Sequence, residues 1–174
     1  SGVRASAGES SPRLVRQWSH SLRQRVNFLK WSQDEIDHAG GHWTKHEIAQ
    51  QPHVWLKTQL SMTRDSSATR EFLVPLLRRR ELQIVLTGAG TSACIGECLA
   101  PALTRQLGMR VQAIATTDLV AAPDTYLAAA APVLLVSFAR SGNSPECVAA
   151  LELAEKSCAD CHHLIIHANR QGAL

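Results

Sequence analysis

The chain has 174 residues, of which 45% are apolar and 19% charged, and its formal net charge is +3. That length predicts one domain with a core of useful size, and the charge is too small to argue for nucleic acid as a partner. No apolar run approaches the roughly 20 residues of a membrane span and no basic-then-apolar leader opens the chain, so the default expectation is a cytoplasmic globular protein.

In chain order, residues 1–12 are small and polar and predict disorder. Residues 13–31 place Val15, Trp18, Leu22, Val26 and Leu29 at helical spacing among four arginines and a lysine. This basic amphipathic helix reads better as a packing helix with a solvated face than as a nucleic-acid or membrane element. Gly40-Gly41 closes the region. Thr44-Lys-His-Glu47 has the capping-box pattern, which predicts a helix from about Lys45, with Pro52 kinking or restarting it. Trp55, Leu56 and Leu60 form its expected buried side. A third helix is expected over about Ala68–Arg79, with Phe72, Leu73, Leu76 and Leu77 on one face and Arg78-Arg79-Arg80 at its C-terminus, where cations suit the dipole.

The period then changes. Leu82–Leu86 reads as a strand and Thr87-Gly-Ala-Gly-Thr-Ser92 as a turn. Ile95, Leu99, Leu103 and Leu107 mark a helix bent at Pro101 and closed by Gly108. Residues 110–115 form a second strand, Leu127–Ala131 a short helix, and 132–137 a third strand. Residues 146–156 follow as a helix with Val148, Leu151 and Ala154 inward, and 163–167 as a fourth strand. Alternating strands and helices imply a doubly wound parallel α/β sheet, expected in the order 2-1-3-4 and lacking its last strand. The chain opens on Ser1 and stops just after a loop, so both ends read as cut.

The five cysteines are 94, 98, 147, 158 and 161. An odd count in an α/β pattern predicts reduced thiols. Cys158-Ala-Asp-Cys161 has the spacing of a redox or zinc knuckle, but two further ligands are wanting, so two cysteines at a helix end is the preferred reading and no metal is expected.

Ser137-Phe-Ala-Arg-Ser-Gly-Asn-Ser-Pro-Glu146 carries the most chemistry. An apolar strand leads in and a helix leads out. The helix N-terminus favours an anion and the hydroxyls add donors. Ser144 suits the N-cap, Pro145 the first helical position and Glu146 the first turn. The stretch fits a phosphate-holding loop or an ordinary capped turn. Ligands of open parallel sheets lie beyond the C-terminal strand ends, where the turn 87–92 also lies. Gly88-Ala-Gly90-Thr-Ser-Ala93 satisfies a loose dinucleotide fingerprint, but Asp118 is poorly placed for the ribose, and one glycine turn leaves the serine loop unexplained.

Taken together, the two loops resemble those of the sugar isomerase (SIS) domain family. Gly88-Ala-Gly-Thr-Ser92 resembles its first loop and Ala139-Arg-Ser-Gly-Asn-Ser144 its second. Glu47–Pro52, Thr116–Val120, Val136–Glu146, Asn169 and Gly172 resemble the branch of tagatose-6-phosphate ketose/aldose isomerases and galactosamine-6-phosphate deaminase-isomerases. The resemblance covers about Thr44 to Leu174, leaving 1–43 as an N-terminal extension. It implies that Ser141, Asn143 and Ser144, with the backbone of Arg140 and Gly142, hold a sugar phosphate. Gly90 turns the first loop, and the resemblance implies that Ser92, and with it Thr91, touches the phosphate or the sugar. Arg140 would pair with the dianion. It implies an aldose–ketose shift, with deamination for a 2-amino sugar, no cofactor, and a homodimer when full length. In the family the carboxylate base comes from a second SIS domain, which would begin after Leu174. A phosphosugar-sensing regulatory domain is the alternative of a different class.

Overall fold

The computed structural model describes residues 31–64, 66–127, 130–169 and 171–174, apart from the side chain of Gln33. The expected disordered segment 1–12 and, Trp31 aside, the basic helix 13–31 lie outside the described residues. Two compact units meet between Thr69 and Arg70.

The described part of the first unit is helical. A short helix, α1 (Gln33–His38), is held by a capping box: the Glu35 N–H donates to Ser32 Oγ and the Ser32 N–H to Glu35 Oε2 at 2.6 Å. These backbone and side-chain bonds to Ser32 keep the Glu35 carboxyl below its ordinary pKa. Gly40 then turns the chain at φ +70°. The next helix, α2, spans His42–Arg64, so Thr44 lies inside it and not at its cap. Nor does Pro52 divide it. Its expected buried side is also corrected. No described residue of α2 is buried, and Trp55 and Leu60 are 62% and 57% exposed.

Helix α3 (Ser66–Leu77) leads into the second unit. There β1 (Gln83–Gly88), α4 (Thr91–Leu107), β2 (Val111–Ala115), α5 (Thr116–Ala121), α6 (Pro123–Tyr126), β3 (Val133–Ala139), α7 (Pro145–Ser157) and β4 (Cys161–His167) follow. The strands form one sheet in the order β2-β1-β3-β4, with every pair parallel. Parallel strands covered on both faces read as unbroken apolar runs, and β3 is buried from Val133 through Phe138. Helix α6 ends at Tyr126, ahead of the helix expected over Leu127–Ala131. Leu127 is instead extended and buried.

Successive strand residues face opposite layers. On one face Ile84, Leu86, Leu134, Val136 and Phe138 pack with Leu76 of α3 and Ala100 of α4. On the other, Val85, Ile114, Val133 and Leu135 pack with Leu119 of α5 and Ala150 and Ala154 of α7. The apolar positions that mark α4 do not all lie on its buried face. Ile95, Leu99 and Leu107 are exposed, whereas Gly96 and Ala100 are buried. A Cβ on Gly96 would lie 3.1 Å from Leu86 Cβ, so glycine lets the helix sit close on β1. Gly108 ends α4 in the left-handed conformation, φ 64°. In α7 the most buried positions are likewise small: Cys147, Ala150 and Ala154.

At the other end of the sheet, the Arg79 guanidinium lies 2.7 Å from Asp160, whose carboxyl it holds below the ordinary range. Cys158 and Cys161 touch through their side chains. Burial raises both thiols, pushing Cys161 up to about 11. All five cysteines are free, and among the described residues no group of three or more metal-ligating side chains is placed to hold an ion.

Candidate functional site

The sheet order reverses at β1: the chain steps to β2 on one side, then crosses to β3 on the other. Beyond the strand ends at such a switch point, the loops diverge and leave a crevice. Register places the two loops side by side, because Thr87 pairs with Ser137 and Gly88 with Phe138.

The crevice is a cleft of about 350 Å³ lined by Ala89, Thr91, Ser92, Phe138, Ala139, Arg140, Ser141, Ser144 and Cys147. This is the low end of the range for small-ligand sites. The structure thus brings Thr91 and Ser92 from the first loop together with Arg140, Ser141 and Ser144 from the second. Gly90, Gly142 and Asn143 are not among the lining residues. Asp118 sits exposed in α5, away from the cleft lining, and no Asp, Glu or His lines the cleft.

Two glycines shape the first loop. A Cβ on Gly88 would lie 2.7 Å from the Ser92 carbonyl carbon and 3.0 Å from the Ala93 nitrogen, so only glycine lets α4 start this close to β1. Gly90 is the N-cap of α4 at φ 54°, ψ −128°, a combination that disfavours any side chain. It offers no side-chain oxygen to the helix, and neither Thr91 nor Ser92 takes that place, since no side chain caps α4. In the second loop Ser144 is the N-cap of α7 and Pro145 follows it, as the sequence predicts, but the Ser144 hydroxyl makes no capping bond. An ordinary capped turn is therefore not what forms here. Both helices that begin at the cleft leave N-terminal N–H groups without a side-chain acceptor, and the serine hydroxyls are not consumed by capping.

The second loop is braced from behind. The Asn143 N–H donates to Ser141 Oγ at 3.3 Å, and Asn143 Oδ1 accepts from the Ala173 N–H at 2.9 Å. Gly142 is buried at φ +71°, where its backbone meets that of Gly172. Cys147, in the first turn of α7, is a cleft residue that sequence reasoning passed over. Its position three residues after the N-cap, on the face shared with Ser144, was the available signal.

A glycine turn and a serine loop share one crevice at the switch point of a parallel α/β sheet, and similarity to the relatives below makes the chain a member of the sugar isomerase (SIS) domain family. It is 51% identical over 136 residues to D-galactosamine-6-phosphate deaminase AgaS of Escherichia coli O157:H7, covering 78% of this chain and 35% of that protein. Against AgaS of Shewanella sp. (strain ANA-3) the identity is 45% over 149 residues, covering 84% of this chain and 38% of the relative. The crystal structure of tagatose-6-phosphate ketose/aldose isomerase from Escherichia coli matches with a TM-score of 0.75 at 51% identity, over 78% of this chain and 37% of that one. The chain spans little more than a third of the length of these relatives. No family model matches it, and no described helix is long and apolar enough to cross a membrane.

Proposed function

We propose that this chain grips the phosphate of an amino-sugar or ketose 6-phosphate, galactosamine 6-phosphate or tagatose 6-phosphate, as the N-terminal SIS part of a deaminase or aldose–ketose isomerase. The observation that carries this reading is the single cleft lined by Thr91, Ser92, Arg140, Ser141 and Ser144, with both adjoining helices uncapped by side chains. Ser141 and Ser144 donate hydroxyl hydrogen bonds to the phosphate, and Ser92 and Thr91 reach it or the sugar from the first loop. Arg140 is exposed at the rim and neutralises the dianion with charge-assisted bonds. Gly90 and Gly142 contribute backbone. The Asn143 backbone N–H is taken by Ser141 Oγ, which leaves its side-chain N–H₂ as the donor it can offer an anion.

An aldose–ketose shift moves a proton between C1 and C2 of the opened sugar, which calls for a carboxylate base. The cleft lining contains no acid, so this chain orients the substrate and does not supply that base. We take the domain to run from Thr44 to Leu174. The matched 136 residues outnumber those from Arg70 onward, which supports including helical residues ahead of it. The free cysteines fit a reducing compartment, and we place the protein in the cytoplasm. The exposed Ile95, Leu99 and Leu107 of α4 fit self-association of the whole protein.

All four tryptophans precede Arg70, so calorimetry is a better probe of the cleft than intrinsic fluorescence. Galactosamine 6-phosphate should bind and be weakened at least about tenfold by Arg140→Ala. Unphosphorylated galactosamine and NADH should not bind, and the 174 residues should show no turnover. Binding of NADH, or equal binding of the sugar with and without phosphate, would refute the reading.

A further inference from the structure

We infer that Asn169 and Gly172 are positioning residues: they hold the backbone of the serine loop in the orientation that presents its N–H groups to the phosphate. This rests on the phosphosugar reading above and adds two residues outside the cleft to the machinery of that site.

The loop is laced to the residues after β4 through its carbonyls. Asn169 Nδ2 donates to the Ser141 carbonyl at 3.0 Å, and the Leu174 N–H donates to the Gly142 carbonyl at 3.1 Å. Asn169 is itself fixed, because its Oδ1 accepts from the Gln171 N–H at 3.1 Å and its carbonyl from the Gly172 N–H at 3.0 Å. In a trans peptide the C=O of one residue and the N–H of the next point in opposite directions, and no described peptide bond is cis. Tying down the Ser141 carbonyl therefore aims the Gly142 N–H away from Asn169. Tying down the Gly142 carbonyl aims the Asn143 N–H away from Leu174, toward Ser141 Oγ, which accepts it. Among the described residues the N–H groups of Ser141 and Gly142 have no backbone acceptor. Successive unclaimed N–H groups at a turn are the donors from which anion-binding concavities are built.

Gly172 makes the lacing possible sterically. A Cβ there would lie 2.7 Å from the Ser141 carbonyl oxygen and 3.0 Å from Gly142 Cα. Gly142 returns the requirement, since its own Cβ would lie 3.2 Å from Gly172 Cα. The two glycines pack backbone to backbone, and any side chain on Gly172 pushes directly on the carbonyl that Asn169 holds.

The test uses the chain with Asn169→Ala, Gly172→Ala and, as a contact control, Arg140→Ala. Calorimetry measures galactosamine 6-phosphate binding, and NMR measures amide hydrogen exchange at Asn143 and Leu174. Asn169→Ala should weaken binding about tenfold and speed exchange at Asn143 and Leu174, whose N–H groups are hydrogen-bonded within the lacing, with the thermal midpoint within a few degrees of the parent. Gly172→Ala should do more of both. Arg140→Ala should weaken binding and leave exchange alone, which separates touching the ligand from positioning the loop. Parent-like binding and exchange in both Asn169→Ala and Gly172→Ala would overturn the inference. If the parent itself fails to bind, the phosphosugar reading falls. Exchange then decides the lacing, and unchanged rates in the two variants overturn it.

Discussion

Adding one methyl group to Gly88 tests whether the closeness of α4 to β1 is structural bedrock. A Cβ there meets only backbone: the Ser92 carbonyl carbon at 2.7 Å, its oxygen at 2.8 Å and the Ala93 nitrogen at 3.0 Å. No rotamer relieves such contacts, so the first turn of α4 must move as a body, which puts the cost at the upper end of the about 1–3 kcal/mol typical of overpacking. The reduced entropy of the unfolded chain returns only about 0.4–1 kcal/mol. Gly96→Ala is the internal comparison, because its Cβ would meet Leu86 Cβ at 3.1 Å and Ala113 Cβ at 3.4 Å. The helix can lift by a few tenths of an ångström, and a gain of about 1 kcal/mol in helix propensity offsets much of the strain. Urea denaturation followed by circular dichroism should therefore rank Gly88→Ala about 2–3 kcal/mol below Gly96→Ala. Equal midpoints for the two variants, with unchanged slopes, would refute the steric reasoning.

Ser144→Ala removes a hydroxyl that makes no capping bond, so its stability should stay within about 0.5 kcal/mol of the parent while phosphosugar affinity falls several-fold; a clear loss of stability would show that Ser144 is a cap after all. Burial lowers the His163 pKa, so the unfolded chain takes up that proton more readily. The contribution of neutral His163 is complete above its ordinary value of about 6.5 and is lost as pH falls from there toward its native value. His163→Gln should remove that step from a stability–pH profile. It should leave a second loss at lower pH, where protonation breaks the bond from Arg79 to Asp160. Iodoacetamide near neutral pH should label the exposed Cys94 and Cys98 first and Cys161 last, given its raised pKa; peptide mass mapping reads the order, and early labelling of Cys161 would contradict it.

The sheet was legible because buried parallel strands are apolar runs. Leu82–Leu86 and 132–137 anticipate Gln83–Gly88 and Val133–Ala139 with small shifts at the ends. Helix faces are less legible because hydrophobicity alone is a poor guide to burial. Ile95 and Leu99 of α4 are exposed while Gly96 and Ala100 face the sheet and Leu103 packs against the core, since close packing on β1 selects for smallness. Trp55 and Leu60 misled in the same way on α2. In the cleft, the hydroxyls and the arginine stand next to one another in sequence and could be read as a group. The bond from Asn169 to Ser141 joins residues 28 apart. It depends on how β3 and β4 pair, which no local pattern encodes.

The absence of side-chain capping bonds at the starts of α4 and α7 also bears on how the molecule behaves in a cell. A fold that leaves these positions to a dissociable oxyanion couples its folding equilibrium to metabolite supply. At a free concentration a hundred times the dissociation constant, occupancy deepens the native well by about 2.7 kcal/mol. On the phosphosugar reading, starvation for the sugar would make the same polypeptide softer and quicker to be degraded, so abundance would follow substrate without any dedicated sensor.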